Sequence, residues 1–164
     1  MSTKKKKPAL QAKAAKGKAK AKKSKTLRVE NLSPAVLDHL VQEAKAVREN
    51  AYAPFSHYQV GAAIMTKSGN VYRGCNVENS TFGATICAER GAIMQMVANG
   101  DREPIACAVV TRDGGSPCGI CRQVLAEFAM DLPVVLVGLE SPEGETGKVV
   151  HLTDLLPLAF RLGQ

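Results

Sequence analysis

The fold is decided by residues 58–77, whose sequence is YQVGAAIMTKSGNVYRGCNV. Two runs rich in apolar and β-branched residues flank the turn-forming tetrapeptide Lys67-Ser68-Gly69-Asn70, and this pattern predicts a β-hairpin with strands over 58–66 and 71–77. Because this first pair of strands is antiparallel, we expect the larger sheet to be a mixed one. The small residues at 61–63, Gly-Ala-Ala, indicate that either a helix or a ligand packs closely against the first strand.

Helices and strands are predicted to alternate on both sides of this hairpin. Upstream, Ser33 suits a helix N-cap and Pro34 suits the first helical position, and the apolar stripe that follows should end before Pro54. Downstream, the patterns predict helix 87–98, strand 105–111, helix 119–128, strand 133–139, a polar turn over 141–145, strand 148–152 and helix 154–160. This order predicts an α/β protein with a three-layer α/β/α architecture, in which helices cover both faces of a mixed sheet of about five strands.

Charge is distributed very unevenly along the chain. Residues 1–26 hold eleven of the 22 basic residues and no acidic residue. Their Lys/Ala-rich composition predicts a disordered tail, which leaves one domain over 27–164. The remaining eleven basic residues stand against 15 acidic ones, so the domain has a net charge of −4 and no excess of positive charge for phosphates. The tail either stays solvated or makes weak, salt-dependent contacts with nucleic acid.

The cysteine count and the hydropathy pattern bear on the cellular compartment. The sequence has no run of about 18 apolar residues that could cross a membrane, and no apolar segment follows the N-terminal charges as in a secretory signal. Five cysteines are an odd number for a disulfide framework. We therefore expect a cytoplasmic protein without membrane contact, in which clustered cysteines hold metal.

Two cysteine motifs, each at the predicted start of a helix, suggest a metal site. The first is Cys87-Ala88-Glu89-Arg90, and the second begins with Pro117 and places Cys118 and Cys121 three residues apart. At a helix start, this spacing lets two thiolates meet on one ion, and Cys87 would supply the third. Three protein ligands leave a fourth tetrahedral position for water, which is typical of a catalytic zinc rather than a structural one. We expect one Zn²⁺ per subunit.

The residues beside these ligands predict acid–base chemistry. Where the helix begins, Glu89 could reach a zinc-bound water without binding zinc and serve as general acid and base. The alternative is a first-turn glutamate that is stabilised by the helix dipole. Because three thiolates and one zinc ion sum to a charge of −1, Arg90, Arg122 or both could donate to the thiolates. The alternative for each arginine is an ordinary surface position.

Taken together, the motifs resemble those of the small homotetrameric cytidine deaminases. Further similar segments cover roughly residues 33–160 in the family's order: Tyr52-Ala53-Pro54-Phe55-Ser56, Val60-Gly61-Ala62-Ala63, Asn76-Val77-Glu78-Asn79 and Leu155-Leu156-Pro157-Leu158-Ala159-Phe160. Two positions depart from the family pattern, since Tyr58 stands where Phe is common and Phe82 stands where many relatives have Tyr.

This resemblance implies a role for each matching residue. Cys87, Cys118 and Cys121 would bind zinc, and Glu89 would shuttle protons. Asn76 and Glu78 would hydrogen-bond the sugar hydroxyls, while Tyr58 would pack on the pyrimidine ring. Phe160 would reach into the site of a neighbouring subunit, so that a homotetramer with shared active sites is implied.

The implied reaction is the hydrolytic deamination of free cytidine and deoxycytidine to uridine and deoxyuridine, a step of pyrimidine salvage. Two other interpretations remain open. One is a nucleic-acid deaminase, which would use the same zinc chemistry and the basic tail. The other is a nucleic-acid-binding protein whose zinc site is structural, for which the tail is the support.

Overall fold

The computed structural model describes residues 32–141 and 147–162. The predicted tail over 1–26 and most of the predicted polar turn over 141–145 lie outside the described residues. Within them the chain forms four α-helices, five strands and one short 3₁₀ turn. In chain order these are α1 (Pro34–Arg48), β1 (Gly61–Thr66), β2 (Val71–Cys75), the 3₁₀ turn (Phe82–Ala84), α2 (Ala88–Ala98), β3 (Pro104–Thr111), α3 (Gly119–Phe128), β4 (Pro133–Gly138), β5 (Lys148–His151) and α4 (Leu152–Leu155).

The five strands form one mixed sheet, as the sequence predicts, and their order in it is β2-β1-β3-β4-β5. The β3–β4 pair is parallel and the other three pairs are antiparallel. Since β1 runs against both of its neighbours, Gly61 at its start pairs with Cys75 at the end of β2 and with Val110 near the end of β3. One end of the sheet therefore gathers the segments that enter β1 and leave β2 and β3.

Helices cover both faces of this sheet and complete the predicted three layers. Alternate residues of β3 point to opposite faces: Val109 packs with α2 and α3, whereas Ala108 packs against α1. The layer of α2 and α3 contributes Met96 and Leu125 to one core, and α1 contributes Leu40 to the other. These five side chains are at most 1% exposed.

The small residues of β1 are explained by helix α1. Ser33 caps this helix, since its hydroxyl accepts from the backbone N–H of Val36 at 3.4 Å, and Pro34 begins it, as predicted. A Cβ added to Gly61 would lie 2.0 Å from the carbonyl oxygen of Ala44 in α1. Of the two causes considered for the small residues, a helix is therefore the one that packs against Gly61.

Helix α2 approaches the neighbouring strand just as closely. Cys87 is its N-cap residue, with extended backbone angles, and Ala88 is its first helical residue. A Cβ added to Gly74 in β2 would lie 2.2 Å from the carbonyl oxygen of Ala88. The absence of a side chain at Gly74 thus lets the first turn of α2 rest directly on the sheet.

The C-terminal helix differs from its prediction. We expected it over 154–160, but α4 spans Leu152–Leu155. Pro157 provides the physical reason, since a proline disfavours helical angles in the residue before it, and Leu156 has φ −139° and ψ 70°. Asp154 lies within the first turn, where its carboxylate accepts from the backbone N–H of His151.

The hairpin strands are also shorter than predicted. The expected strand over 58–66 begins at Gly61, and the expected strand over 71–77 ends at Cys75. Val77 leaves the β1–β2 ladder and instead forms isolated bridges with Tyr52 and Ile86. The segments that flank the hairpin therefore form loops around one end of the sheet.

In the described part of the chain, every helix is too short or too polar to cross a bilayer.

Candidate active site

The three predicted ligand cysteines meet at the end of the sheet where α2 and α3 begin. Cys87 is the N-cap of α2, Cys118 is the N-cap of α3, and Cys121 lies in the first turn of α3. Their Sγ atoms all lie within 4.8 Å of one another, and the Sγ atoms of Cys87 and Cys118 are 3.8 Å apart. Two residues at helix starts and one in a first turn thus converge on a common point.

This cluster fits zinc. Thiolate sulfurs bind Zn²⁺ at about 2.3 Å in a tetrahedron, so two ligating sulfurs should be about 3.8 Å apart. The distance between Cys87 and Cys118 matches that spacing. Three sulfurs leave one tetrahedral position for water or substrate, as in catalytic rather than structural zinc sites.

The thiols of the cluster share their protons unequally. Hydrogen bonds from Cys121 and then from Arg90 lower the pKa of Cys87 to about 5. Donation to Cys87 and burial raise the pKa of Cys121 in turn. Metal binding would release the protons that remain on the cluster, because zinc binds cysteine as the thiolate.

Arg90 lies where a charge-compensating residue is needed. Its Nη2 atom donates to Cys87 Sγ at 3.7 Å and to the carbonyl oxygen of Thr85 at 2.6 Å. The second contact holds the guanidinium in place beside the sulfur. Three thiolates and one zinc ion would have a net charge of −1. Arg90 thus brings a positive charge to a cluster that would otherwise be negative.

Arg122 is engaged elsewhere. Its guanidinium donates to the carbonyl oxygens of Pro117 at 2.6 Å and Leu155 at 2.8 Å, and to the hydroxyl of Ser116 at 2.8 Å. The suggestion that Arg122 donates to the thiolates therefore has no support in its contacts. Instead it ties the loop that carries Cys118 to the C-terminal segment.

Glu89 is a buried carboxylate beside the cysteine cluster. Its side chain is 3% exposed, although it belongs to the first turn of α2. Burial raises the pKa of Glu89, and the negative charge of Cys87 acts in the same direction. A raised pKa makes the carboxyl group take up a proton more readily, which suits a group that accepts and returns protons.

A cavity of about 390 Å³ connects this cluster to most of the predicted substrate-binding residues. It is framed by the loops at the starts of β1, α2 and α3 and by the ends of β2 and β3. Its lining consists of Ser56, Tyr58, Val60, Asn76, Glu78, Thr85, Cys87, Glu89, Val109, Thr111, Gly115, Ser116 and Cys118.

Asn76 and Glu78 both line the cavity, on the same side of their segment. Both are at most 9% exposed, whereas Val77 between them is 47% exposed. The side-chain amide of Asn76 accepts from the N–H of Val60 and donates to the carbonyl oxygen of Tyr58, both at 2.8 Å. The loop before β1 thereby fixes Asn76 while leaving one amide hydrogen and one lone pair for a ligand.

The carboxylate of Glu78 is held by the same loop. It accepts from the backbone N–H groups of Phe55 at 2.9 Å and Ser56 at 3.2 Å, and from the Ser56 hydroxyl. The hydroxyl bond is the largest of the effects that lower the pKa of Glu78. Glu78 therefore stays ionised and oriented at the cavity wall.

Tyr58 lines the cavity and reaches a residue that the motifs do not indicate. Its hydroxyl donates to the carboxylate of Asp113, and the guanidinium carbon of Arg112 lies 5.8 Å from the ring centroid. Burial and then the bond to Asp113 raise the pKa of Tyr58. The phenol is therefore a neutral hydrogen-bond donor.

Phe160, like Arg122, lies away from the cysteine cluster, and it does not line the cavity. Its side chain is 67% exposed, and its carbonyl oxygen accepts from Gln123 Nε2 at 2.7 Å. The single chain therefore brings together the other predicted site residues and leaves Phe160 pointing outward. Those brought together are Cys87, Cys118, Cys121, Glu89, Arg90, Asn76, Glu78 and Tyr58.

Among the polar residues that sequence reasoning missed are Ser56, which lines the cavity, and Asp113, which contacts Tyr58. Ser56 belongs to one of the family-like segments, and its proximity to Glu78 depends on a contact over 22 positions. Asp113 meets Tyr58 across 55 positions. A signal for the second contact was available in the hydroxyl of Tyr58, since a partly buried phenol needs a partner.

Comparisons with known proteins show the family of this chain. The model of the cytidine and deoxycytidylate deaminase zinc-binding region matches residues 35–137. The cytidine deaminase of Sporosarcina psychrophila is 45% identical over 127 residues, which are 76% of this chain and 90% of that protein. The relative from Halalkalibacterium halodurans, also a cytidine deaminase, is 44% identical over 124 residues, covering 74% of this chain and 91% of that protein.

The fold is likewise that of solved deaminases. The crystal structure of cytidine deaminase from Burkholderia pseudomallei superposes with a TM-score of 0.70 at 44% identity, covering 75% of this chain and 98% of that one. The enzyme from Mycobacterium tuberculosis superposes with a TM-score of 0.64 at 35% identity, covering 77% of this chain and 98% of that one. The chain belongs to the zinc-binding family of cytidine and deoxycytidylate deaminases.

Proposed function

We propose that this protein hydrolyses the amino group from free cytidine and deoxycytidine, giving uridine or deoxyuridine and ammonia. The observation that carries the proposal is that one cavity of about 390 Å³ joins a zinc-compatible cysteine cluster and a buried glutamate to polar groups suited to a sugar. Zinc, when bound by Cys87, Cys118 and Cys121, would lower the pKa of a water ligand to about 7 and so supply a nucleophile at neutral pH.

The residues of the chain divide the remaining work. Glu89 would take one proton from the attacking water and deliver it to ring nitrogen N3. It would then take the second proton from the hydroxyl group now on C4 and pass it to the amino group, so that ammonia leaves and the C4 carbonyl forms. The burial of Glu89 supports this role, because burial raises the pKa of the carboxyl group and so favours its taking up a proton. Arg90 would offset the thiolate charge that opposes ionisation of the water.

The polar wall of the cavity supports a nucleoside as the substrate. Asn76 offers a donor and an acceptor, and Glu78 offers an oriented carboxylate, which together suit the hydroxyls of a sugar. Tyr58 would pack on the pyrimidine ring. The net charge of −4 outside the first 26 residues favours a neutral nucleoside over a polynucleotide.

We further propose that the active protein is a homotetramer in which Phe160 completes the site of a neighbour. Exposed aromatic side chains near the cavity support this assembly. Phe55 and Phe82 pack edge to face with ring centroids 5.8 Å apart, and they are 48% and 72% exposed. Light scattering of the full chain should give the mass of four subunits, and a monomer that turns over cytidine would contradict the assembly.

A cytoplasmic enzyme of pyrimidine salvage is the biological setting that we propose for this activity. Reduced thiols are needed for the cysteine cluster, and the odd number of cysteines agrees with a reducing compartment. Fractionation of the native cells, with activity measured in each fraction, would test the location.

The deciding experiment incubates the purified full chain with cytidine and follows deamination by the fall in absorbance. Deoxycytidine, its monophosphate, single-stranded DNA and single-stranded RNA are tested as substrates in parallel. We expect turnover of both nucleosides, its loss after chelation, and its return with Zn²⁺. Turnover of a polynucleotide without turnover of cytidine would favour a nucleic-acid deaminase. Stoichiometric zinc without any deamination would favour a structural zinc site.

Replacement of single cysteines links this activity to the cluster. Cys118→Ser should lose bound zinc and turnover together, since it removes one of three ligands. Cys75→Ser is the matched control, because Cys75 lies in β2 outside the cluster. Equal zinc contents in the two variants would refute the assigned ligand set.

A further inference from the structure

The contact between Tyr58 and Asp113 connects two separate parts of the cavity. Tyr58 belongs to the loop before β1, which also holds Asn76 through backbone bonds. Asp113 belongs to the loop between β3 and α3, which ends at Cys118. The hydroxyl of Tyr58 donates to the carboxylate of Asp113 and thereby links the substrate wall to the loop that carries a zinc ligand.

The carboxylate of Asp113 is itself anchored within its loop. It accepts from the hydroxyl of Thr111 and from the backbone N–H of Gly115, each at 3.3 Å. The Thr111 hydroxyl in turn accepts from Gly115 at 2.8 Å. Thr111 is 3% exposed at the end of β3, so this network fixes Asp113 relative to the sheet.

The ring of Tyr58 is confined as well as hydrogen-bonded. A Cβ added to Gly115 would lie 2.8 Å from the Tyr58 hydroxyl, so the loop backbone closely covers that end of the ring. Arg112 lies over the ring, 5.8 Å from its centroid. The hydroxyl therefore lies close to the loop backbone, and the carboxylate of Asp113 is its hydrogen-bond acceptor there.

We propose that Asp113 is a positioning residue that acts through Tyr58: by accepting the phenol hydroxyl, it holds the aromatic ring at the cavity wall and so sets the affinity for the pyrimidine. This inference rests on the proposed function, in which Tyr58 packs on the base. The contacts of Asp113 are with Tyr58, Thr111 and Gly115 rather than with the cysteines or Glu89, so its effect should fall on substrate binding rather than on the chemical step.

The test is a double-mutant cycle of Asp113→Ala and Tyr58→Phe, with KM and kcat for cytidine and zinc content measured for each protein. Asp113→Ala in the wild-type background should raise KM about five-fold, the value of one hydrogen bond, with kcat within about two-fold and zinc retained. In the Tyr58→Phe background, where no hydroxyl needs an acceptor, the same change should alter KM by less than about two-fold.

Two further variants separate positioning from general damage. Asp113→Asn keeps an oxygen that can accept from the phenol and should recover most of the loss in KM. Asp131→Asn is the matched control, since Asp131 accepts from His151 at 2.7 Å, away from the cavity, and should leave KM unchanged. The dissociation constant of the product uridine, measured by calorimetry, should follow KM and does not depend on turnover.

The outcomes are distinguishable. Equal effects of Asp113→Ala with and without the Tyr58→Phe change would overturn the inference, because Asp113 would then act by shaping its own loop. An unchanged KM in Asp113→Ala, with active wild-type protein, would also overturn it and leave the proposed function standing. A wild-type protein that contains zinc but does not deaminate cytidine would instead refute the proposed function.

Discussion

Two carboxylates at opposite ends of the sheet show how differently this fold uses the same group. At the turn of the β1–β2 hairpin, one oxygen of Asp101 accepts from Ser68, Tyr72, Thr66 and Asn70 at 2.7 to 3.0 Å. These bonds, led by that of Ser68, lower the pKa of Asp101 to about 2. At the other end, burial raises the pKa of Glu89.

The two carboxylates differ in their surroundings. Asp101 accepts hydrogen bonds from four side chains, whereas Glu89 is buried away from water. A carboxylate surrounded by donors keeps its negative charge and anchors the segments around it. In a buried carboxylate without such a set of donors the charged form is less stable, so the group binds a proton more readily. We therefore expect Asp101 to matter for folding and Glu89 for turnover.

The largest expected effect follows from neutralising Glu89. Glu89→Gln removes the proton carrier and should lower kcat for cytidine by at least about 1,000-fold. Zinc should remain bound, because the ligands are untouched, and the melting temperature should not fall, because an amide costs less to bury than a charge. Assays of turnover, metal content and thermal unfolding on one preparation would check this. A Glu89→Gln protein with a tenth of the wild-type kcat would break the comparison.

A smaller effect is expected from Arg90, which contacts the thiolate beside Glu89. Arg90→Gln removes a positive charge from Cys87 and should weaken zinc binding by about 10- to 100-fold, the usual range for groups that support metal ligands. Competition with a chelator measures the affinity directly. Arg112→Gln, whose native guanidinium pairs with Glu140 at 3.8 Å, is the control and should keep the wild-type zinc affinity. Identical affinities in all three proteins would show that Arg90 does not offset the thiolate charge.

The matched change at the other carboxylate should alter stability. Asp101→Asn should lower the melting temperature at neutral pH and leave kcat and KM nearly unchanged. Because the folded-state pKa of Asp101 lies below its ordinary value of 3.8, its charge stabilises the fold above about pH 4, and this contribution is lost as the pH falls toward about 2. The gap in melting temperature between wild type and variant should therefore close between about pH 4 and pH 2. A gap that stays constant with pH would contradict the anchoring role.

The smallest effect is expected from deleting residues 1–26. These residues contribute eleven lysines and none of the site residues. The shortened chain should keep its kcat/KM for cytidine at low and at physiological salt. A loss of deamination would mean that the tail belongs to the site, and a loss of nucleic-acid binding alone would support the weaker role considered for it.

The sequence was most informative where a local rule decides the structure. Ser33 and Pro34 mark the start of α1, and Cys87 and Cys118 were placed at helix starts that the structure confirms. The prediction of a C-terminal helix over 154–160 was wrong, because Pro157 prevents the helix that the apolar spacing of this segment suggests. The sequence itself contains the residue that ends this helix, because a proline disfavours helical angles at the position before it.

Long-range polar contacts were beyond the reach of such rules. The cysteine spacing predicts a metal cluster because the ligand geometry of zinc is narrow. The partners of Arg122 and Tyr58, by contrast, depend on how two loops meet after folding. Arg122 was considered as a donor to sulfur, and the backbone carbonyls that it reaches are not visible in any motif.

Gly74 gives the deaminase site a dependence on a residue that touches neither metal nor substrate. Its missing side chain leaves room for the carbonyl oxygen of Ala88, 2.2 Å from where a methyl group would stand. Even alanine at this position would push the start of α2 away from the strand and carry Cys87 away from Cys118. Substitutions at Gly74 in β2 are therefore restricted by the zinc ligand that α2 carries. Variants at this position should lose zinc binding before they lose the folded structure.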